Sequence, residues 1–201
     1  MSKIICVTNR KLCQDDFLTR IEKIASHKPK TIILREKDLS EDEYETLASE
    51  VMAICAKYDV LCTLHNFVDT AVKLKAEAIH MTYAALRTMS ADDKGHFKMI
   101  GASCHTAEEA RKAQIAGCTY IIAGHLFDTL SKKGLQPRGL DFFKEVLEQV
   151  TIPVYAIGGI RPVNVSAVMK TGASAACMMS GFMQCEDVDD YFKQFESVHF
   201  E

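Results

Sequence analysis

His125 directly follows the apolar run Tyr120–Ala123 and Gly124, and it opens the segment Leu126-Phe127-Asp128-Thr129-Leu130-Ser131-Lys132-Lys133-Gly134. An imidazole with an unperturbed pKa of about 6.5 can take a proton and return it near neutral pH, which is what general acid–base work requires. The segment behind it is long, polar and glycine-bounded, the make-up of a lid over a ligand. Histidines are structural more often than catalytic, so position alone does not assign the role.

A second signature concerns phosphate. Ala156-Ile157-Gly158-Gly159-Ile160 precedes Pro162, and paired glycines let a backbone approach an anion closely. A helix starting at Pro162 adds free N–H groups and the positive end of its dipole. Met178-Met179-Ser180-Gly181 is a second small, donor-rich turn, so Gly158, Gly159, Ser180 and Gly181 are the candidate phosphate ligands. The plain alternative, a tight turn without a ligand, weakens when both turns are taken together. On this basis a Gly159→Val change is expected to weaken phosphorylated ligands and leave the fold intact. Arg35-Glu36-Lys37 follows another apolar run, and its two cations either face an anion or form a solvated cluster.

Other groups carry less. Gly101-Ala102-Ser103-Cys104-His105 lacks the second glycine of a nucleophile elbow. Cys104 and His105 are neighbours on an extended segment, so their side chains diverge, and His105 is expected to point away from the ligand. His65 and His80 have no Asp or Glu beside them at their strand ends, so no metal site is assigned. The eight cysteines are scattered with no C-x-x-C pair, several inside apolar runs, and read as reduced core residues.

What must position these residues is a series of short apolar runs alternating with amphipathic stretches. The candidate strands are Ile4–Thr8, Thr31–Leu34, Leu61–Leu64, Ala78–Met81, Met99–Ser103, Tyr120–Ala123, Val154–Ile157 and Ala175–Met179. They are continuously apolar, as in a parallel sheet covered by helices. Helix signals lie between them: capping boxes at Ser40 and Thr106, Pro162 opening a helix to Met169, and stretches at Asp141–Gln149 and Asp187–Phe195. Asp69–Leu74 is a weak helix, and Arg87–Phe97 is the least defined stretch. Eight β-then-α units favour a single closed (β/α)8 barrel over an open sheet, spanning residues 1–201 as one domain. In such a barrel the polar residues ending every strand meet at one face. They are Asn9; Arg35 and Lys37; His65 and Asn66; His80 and Thr82; Ser103 and His105; His125; Gly158 and Gly159; Ser180 and Gly181.

Composition narrows the class. With 201 residues, 48% hydrophobic and 25% charged, the chain reads as an ordinary globular enzyme. A net charge of −3 speaks against nucleic acid as a partner. No apolar run nears the roughly 18 residues that span a bilayer, and Met1–Val7 is too short an apolar start for a signal peptide, so the expected location is cytoplasmic.

Along nearly its whole length the sequence resembles the thiamine phosphate synthase superfamily. The resemblance rests on Ile33-Leu34-Arg35-Glu36-Lys37, Gly101-Ala102-Ser103-Cys104-His105-Thr106, Gly124-His125-Leu126-Phe127-Asp128-Thr129, Ala156-Ile157-Gly158-Gly159-Ile160 and Met179-Ser180-Gly181. The superfamily implies one of two activities. A synthase joins a pyrimidine diphosphate to a thiazole phosphate with magnesium; a TenI-type tautomerase moves a proton on a thiazole carboxylate phosphate without metal. The synthase pattern Asn-Asp-Arg after strand three is replaced by His65, Asn66 and Phe67, and Gln-Glu-Asp after strand four by Tyr83, Ala84 and Ala85. The glutamine that serves the pyrimidine is Ile33, and where the synthase has proline stands His125. The resemblance therefore implies a tautomerase, with His125 as the acid–base group. Arg35, Lys37 and Lys132 then address carboxylate or phosphate charge, Ser103 hydrogen-bonds the ligand, and the four turn residues hold phosphate. It implies no cofactor, magnesium entering only under the synthase alternative, and a small phosphorylated thiazole as partner; a homodimer is allowed. A regulatory barrel that binds without turnover is the alternative from another class.

Overall fold

The computed structural model describes residues 2–196; Met1 and residues 197–201, the ends of the 1–201 span, lie outside the described residues. Eight parallel strands close in chain order: β1 Ile4–Val7, β2 Thr31–Leu34, β3 Cys62–His65, β4 Ala78–Thr82, β5 Met99–Cys104, β6 Tyr120–Gly124, β7 Val154–Ile157 and β8 Ala175–Met178. Strand β8 pairs with β1 through Ala176 to Ile4 and Met178 to Cys6, which completes a (β/α)8 barrel.

The lack of in-out alternation has a direct cause. Successive residues of a strand face opposite sides, and both sides are dry here. Ile5, Val7, Ile33, Tyr120, Ile122, Tyr155 and Cys177 fill the lumen, while Ile4, Cys6, Ile32 and Leu34 pack outward against the helices. Polar groups in the lower lumen are paired: Thr31 Oγ1 lies 2.8 Å from both Thr63 Oγ1 and the Leu61 carbonyl.

The helices are α1 Phe17–Ser26, α2 Glu41–Lys57, α3 Val68–Lys73, α4 Tyr83–Thr88, α5 Ala91–Gly95, α6 Ala107–Ile115, α7 Gly139–Gln149, α8 Pro162–Met169, α9 Ser180–Gln184 and α10 Val188–Glu196. Ser40 and Glu43 form the expected reciprocal cap on α2. At α6 the box is modified: Thr106 caps Glu109 N–H, but the Glu109 carboxylate accepts from the backbone of His105, at 2.6 Å. That bond ties the helix to the end of β5. Helix α1 has no capping box and went unread in the sequence. Its cap is Asp16, whose carboxylate accepts from Thr19 N–H at 2.8 Å, and its buried face is Arg20, Ile21, Ile24 and Ala25. The ill-defined stretch after β4 is two short helices, α4 and α5, and Ser180-Gly181 is the first turn of α9 where a turn alone was expected. Six of the eight cysteines are buried, and Cys13 and Cys185 are half-buried. No helix among the described residues is long and apolar enough to cross a membrane.

Candidate active site

A cavity of about 610 Å³ opens at the C-terminal ends of the strands, within the range of small-molecule sites. Arg35, Lys37, Ser103, His125, Lys132, Gly158, Gly159, Ser180 and Gly181 all line it, joined by His65, His80, Thr82 and His105. Two strand-end residues stay outside. Asn9 heads a short 3-10 turn at Arg10–Leu12, and Asn66 uses its side-chain oxygen to accept the Thr82 N–H at 3.0 Å. The cavity floor is apolar, formed by Val7, Ile33, Ile122, Ile157 and Cys177.

One wall is cationic. Glu36, 2% exposed, does not face the ligand; it accepts from Thr8 Oγ1 at 2.6 Å and from Arg10 through backbone and guanidinium. Thr8 Oγ1 in turn accepts the Arg35 N–H at 2.9 Å, which sets the turn that carries Arg35 and Lys37. With Glu36 so engaged, neither Arg35, Lys37, Lys132 nor Arg161 forms an ion pair among the described residues. Burial lowers the pKa of Arg35, and burial with the charges of Arg35 and Lys132 lowers that of Lys37. Asp128 is the one carboxylate among the lining residues. Four cations, Arg35, Lys37, Lys132 and Arg161, against this one carboxylate favour an anionic ligand.

The opposite wall is the pair of turns after β7 and β8. Gly158 and Gly159 have φ of +103° and +66°, a region open to glycine. They also receive the loop after β6: Leu126 and Phe127 donate N–H to the carbonyls of Ile157 and Gly158, each at 3.0 Å. A Cβ on residue 159 would lie 2.5 Å from the Asp128 carbonyl, and one on residue 158 would lie 2.3 Å from His125 Cβ. The glycines thus seat the His125 loop as well as any anion. This corrects the expectation for Gly159→Val, which would displace that loop and not leave the fold intact. Asn164 of α8 adds a brace by donating to the Gly159 carbonyl at 3.0 Å while accepting from Arg161 N–H at 2.8 Å.

His125 is 8% exposed, and its Nε2 lies 3.3 Å from the Leu135 carbonyl. A bond donated there leaves Nδ1 as the nitrogen free to accept a proton. His105 is also corrected: it lines the cavity, with Nδ1 2.9 Å from the Gly124 carbonyl. His65 and His80 are buried and neutral, their pKa values pushed down to about 2 and about 3. Burial is the main cause for both, followed for His65 by the repulsion that two protonated rings, His65 and His80, would suffer, and for His80 by the Arg35 charge. What sequence reading missed is the contact of His80 Nε2 with Ser103 Oγ at 2.8 Å. The contact arises from the β4–β5 register, which places His80 beside Gly101 and Thr82 beside Ser103, and no spacing in the sequence announces it.

The magnesium that the superfamily's synthases use does not fit the residues present. A hard cation needs anionic oxygens. The strand ends that would supply them offer Asn66, whose oxygen is engaged with Thr82, and Ala85, which has no donor.

A closed barrel with a cationic cavity over glycine turns is a (β/α)8 fold whose strand-end site favours an anionic ligand. The thiamine monophosphate synthase (TMP-TENI) family matches residues 4–182, and the chain belongs to that family. A thiamine-phosphate synthase of Fusobacterium nucleatum is 32% identical over 200 residues, covering 96% of this chain and 97% of its own. One from Halalkalibacterium halodurans is 34% identical over 169 residues, covering 83% and 80%. Among solved structures, a thiamine phosphate pyrophosphorylase from Pyrococcus furiosus superposes with a TM-score of 0.83 at 26% identity, covering 98% of this chain and 94% of its own.

Proposed function

We propose that this protein is a thiazole tautomerase of the TenI type, an isomerase acting on a thiazole carboxylate phosphate in thiamine biosynthesis. The observation that carries this reading is His125, seated at the end of β6 in a cavity whose β3 and β4 ends lack carboxylates. The thiazole ring lies on the apolar floor, where Ile33 offers no hydrogen bond to an aminopyrimidine. Phosphate takes the backbone donors around Gly158, Gly159, Ser180 and Gly181, at the N-terminus of α8. Arg35, Lys37 and Lys132 meet the carboxylate, and Ser103 hydrogen-bonds the ligand. His125, holding Leu135 through Nε2, removes a proton with Nδ1 and returns it at a second position, leaving an aromatic ring. Such a group typically supplies about 10²- to 10⁴-fold in rate.

A second reading is thiamine-phosphate synthase, favoured by the names of the relatives above. One experiment separates the two. The protein is treated with a chelator and given the thiazole carboxylate phosphate, and isomerisation is followed by absorbance. In parallel it receives thiazole phosphate, pyrimidine diphosphate and magnesium, with pyrophosphate release as readout. Chelator-insensitive isomerisation without pyrophosphate release supports the tautomerase; the reverse outcome establishes the synthase. A ligand that binds without turnover in either assay points to a regulatory barrel.

A further inference from the structure

The barrel lumen holds a buried polar chain that the proton-transfer reading leaves unused. Tyr120 is 2% exposed, and across from it on β5 stands Gly101, in register with both Tyr120 and His80. A Cβ on residue 101 would lie 2.0 Å from Tyr120 Cζ, so a glycine is required for the phenol to pass β5. Beyond it the Tyr120 hydroxyl lies 3.2 Å from His80 Nδ1, and His80 Nε2 lies 2.8 Å from Ser103 Oγ.

Counting protons along this chain restricts it. Among the described residues His80 is the one side-chain partner of the Tyr120 hydroxyl and of Ser103 Oγ. Burial keeps the phenol protonated and His80 neutral, with a single ring proton. If that proton sat on Nδ1, Ser103 would donate to Nε2 and the phenol proton would be left without an acceptor in a closed interior, a costly arrangement. If it sits on Nε2, Tyr120 donates to Nδ1, Nε2–H donates to Ser103, and no buried group is stranded. The serine proton is then left for the cavity, which Ser103 lines.

We infer that Tyr120 and His80 are positioning residues that fix Ser103 as a hydrogen-bond donor to an acceptor oxygen of the ligand. Ser103 is therefore a recognition group, although it touches a histidine as a serine nucleophile does. On the proposed substrate the matching acceptor is a carboxylate oxygen. Only this last step rests on the tautomerase reading; the tautomer of His80 does not.

Two measurements test the inference. Long-range ¹⁵N NMR of the ligand-free protein at neutral pH is expected to show His80 protonated at Nε2 and bare at Nδ1. Protonation at Nδ1 overturns it, and this readout needs no variant. The second measurement is a double-mutant cycle on affinity for the thiazole carboxylate phosphate, with folding of each variant checked by circular dichroism. Ser103→Ala is expected to weaken binding roughly 10-fold or more, the worth of one hydrogen bond to a carboxylate. Tyr120→Phe is expected to cost a similar factor alone and less than about twofold on top of Ser103→Ala. An equal cost in both backgrounds means that Tyr120 acts only through the fold, and the proposal fails. If His80 carries Nε2–H but the wild-type protein does not bind this ligand, the tautomer assignment stands and the substrate reading falls.

Discussion

Replacing Arg35 with methionine sets the demands of the site against those of the fold. The guanidinium is half-buried, forms no ion pair among the described residues, and has its pKa lowered by burial. Its backbone is held separately, by the bond from Arg35 N–H to Thr8 Oγ1. A desolvated cation without a partner costs the folded state, and methionine keeps much of the apolar stem. Arg35→Met should therefore stabilise the ligand-free protein by about 0.5–1 kcal/mol, or roughly 1–4 °C in Tm for a domain of this size. Affinity for the thiazole carboxylate phosphate should fall, because a charge-assisted bond worth about 1.5–3 kcal/mol is lost, a factor of roughly 10 to 150. Thermal unfolding and isothermal calorimetry on the same preparations read both quantities. A lower Tm with unchanged affinity would show that Arg35 serves the fold, and the cationic wall would lose its place as the anion site.

Other expectations follow from the same contacts. Gly159→Val drives a side chain into the Asp128 carbonyl at a φ of +66°, so its urea midpoint should drop by the equivalent of about 1–3 kcal/mol; a variant as stable as wild type contradicts the packing of the β6 loop on the glycine turn. His65 and His80 have folded pKa values of about 2 and about 3, below the unfolded value of about 6.5. The unfolded chain therefore binds more protons below that value, and stability is lost as pH falls from about 6.5 towards 3, with a slope of up to about 1.4 kcal/mol per pH unit for each histidine. Denaturant midpoints between pH 7 and 4 read this loss, and His80→Asn should reduce the slope; an identical slope in the variant means that His80 is not buried neutral.

The barrel was legible because the strands read as mostly apolar runs without in-out alternation, as in a covered parallel sheet, and eight such units favour closure, which puts the polar strand ends on one rim. Helix α1 escaped because its signal is a lone Asp16 cap before a face that includes Arg20, a charged residue buried by donating to the Phe182 and Cys185 carbonyls. No pattern of apolar residues announces a buried arginine. The glycine pair was read as an anion cradle, yet its close partners in the structure are His125 and Asp128, a tertiary contact between distant loops that local spacing does not encode. The same holds for His80 and Ser103, which are 23 residues apart and brought together by the β4–β5 register. Asn66 and Ala85, by contrast, were informative as they stand, since an amide and a methyl group cannot do what two carboxylates do for a hard cation.

The central claim is that His125 moves the proton in a site without metal. The measurement that bears on it most directly is the turnover rate of His125→Asn on the thiazole carboxylate phosphate, taken beside its binding constant, with exposed His96→Asn as control. Asparagine can still donate towards the Leu135 carbonyl but cannot exchange a proton. The expected result is a kcat lowered by about 100-fold or more with affinity changed less than about threefold, and a control that matches wild type. Near-wild-type turnover by His125→Asn would contradict the claim and transfer the proton to another group on the same rim, such as His105 or Lys37.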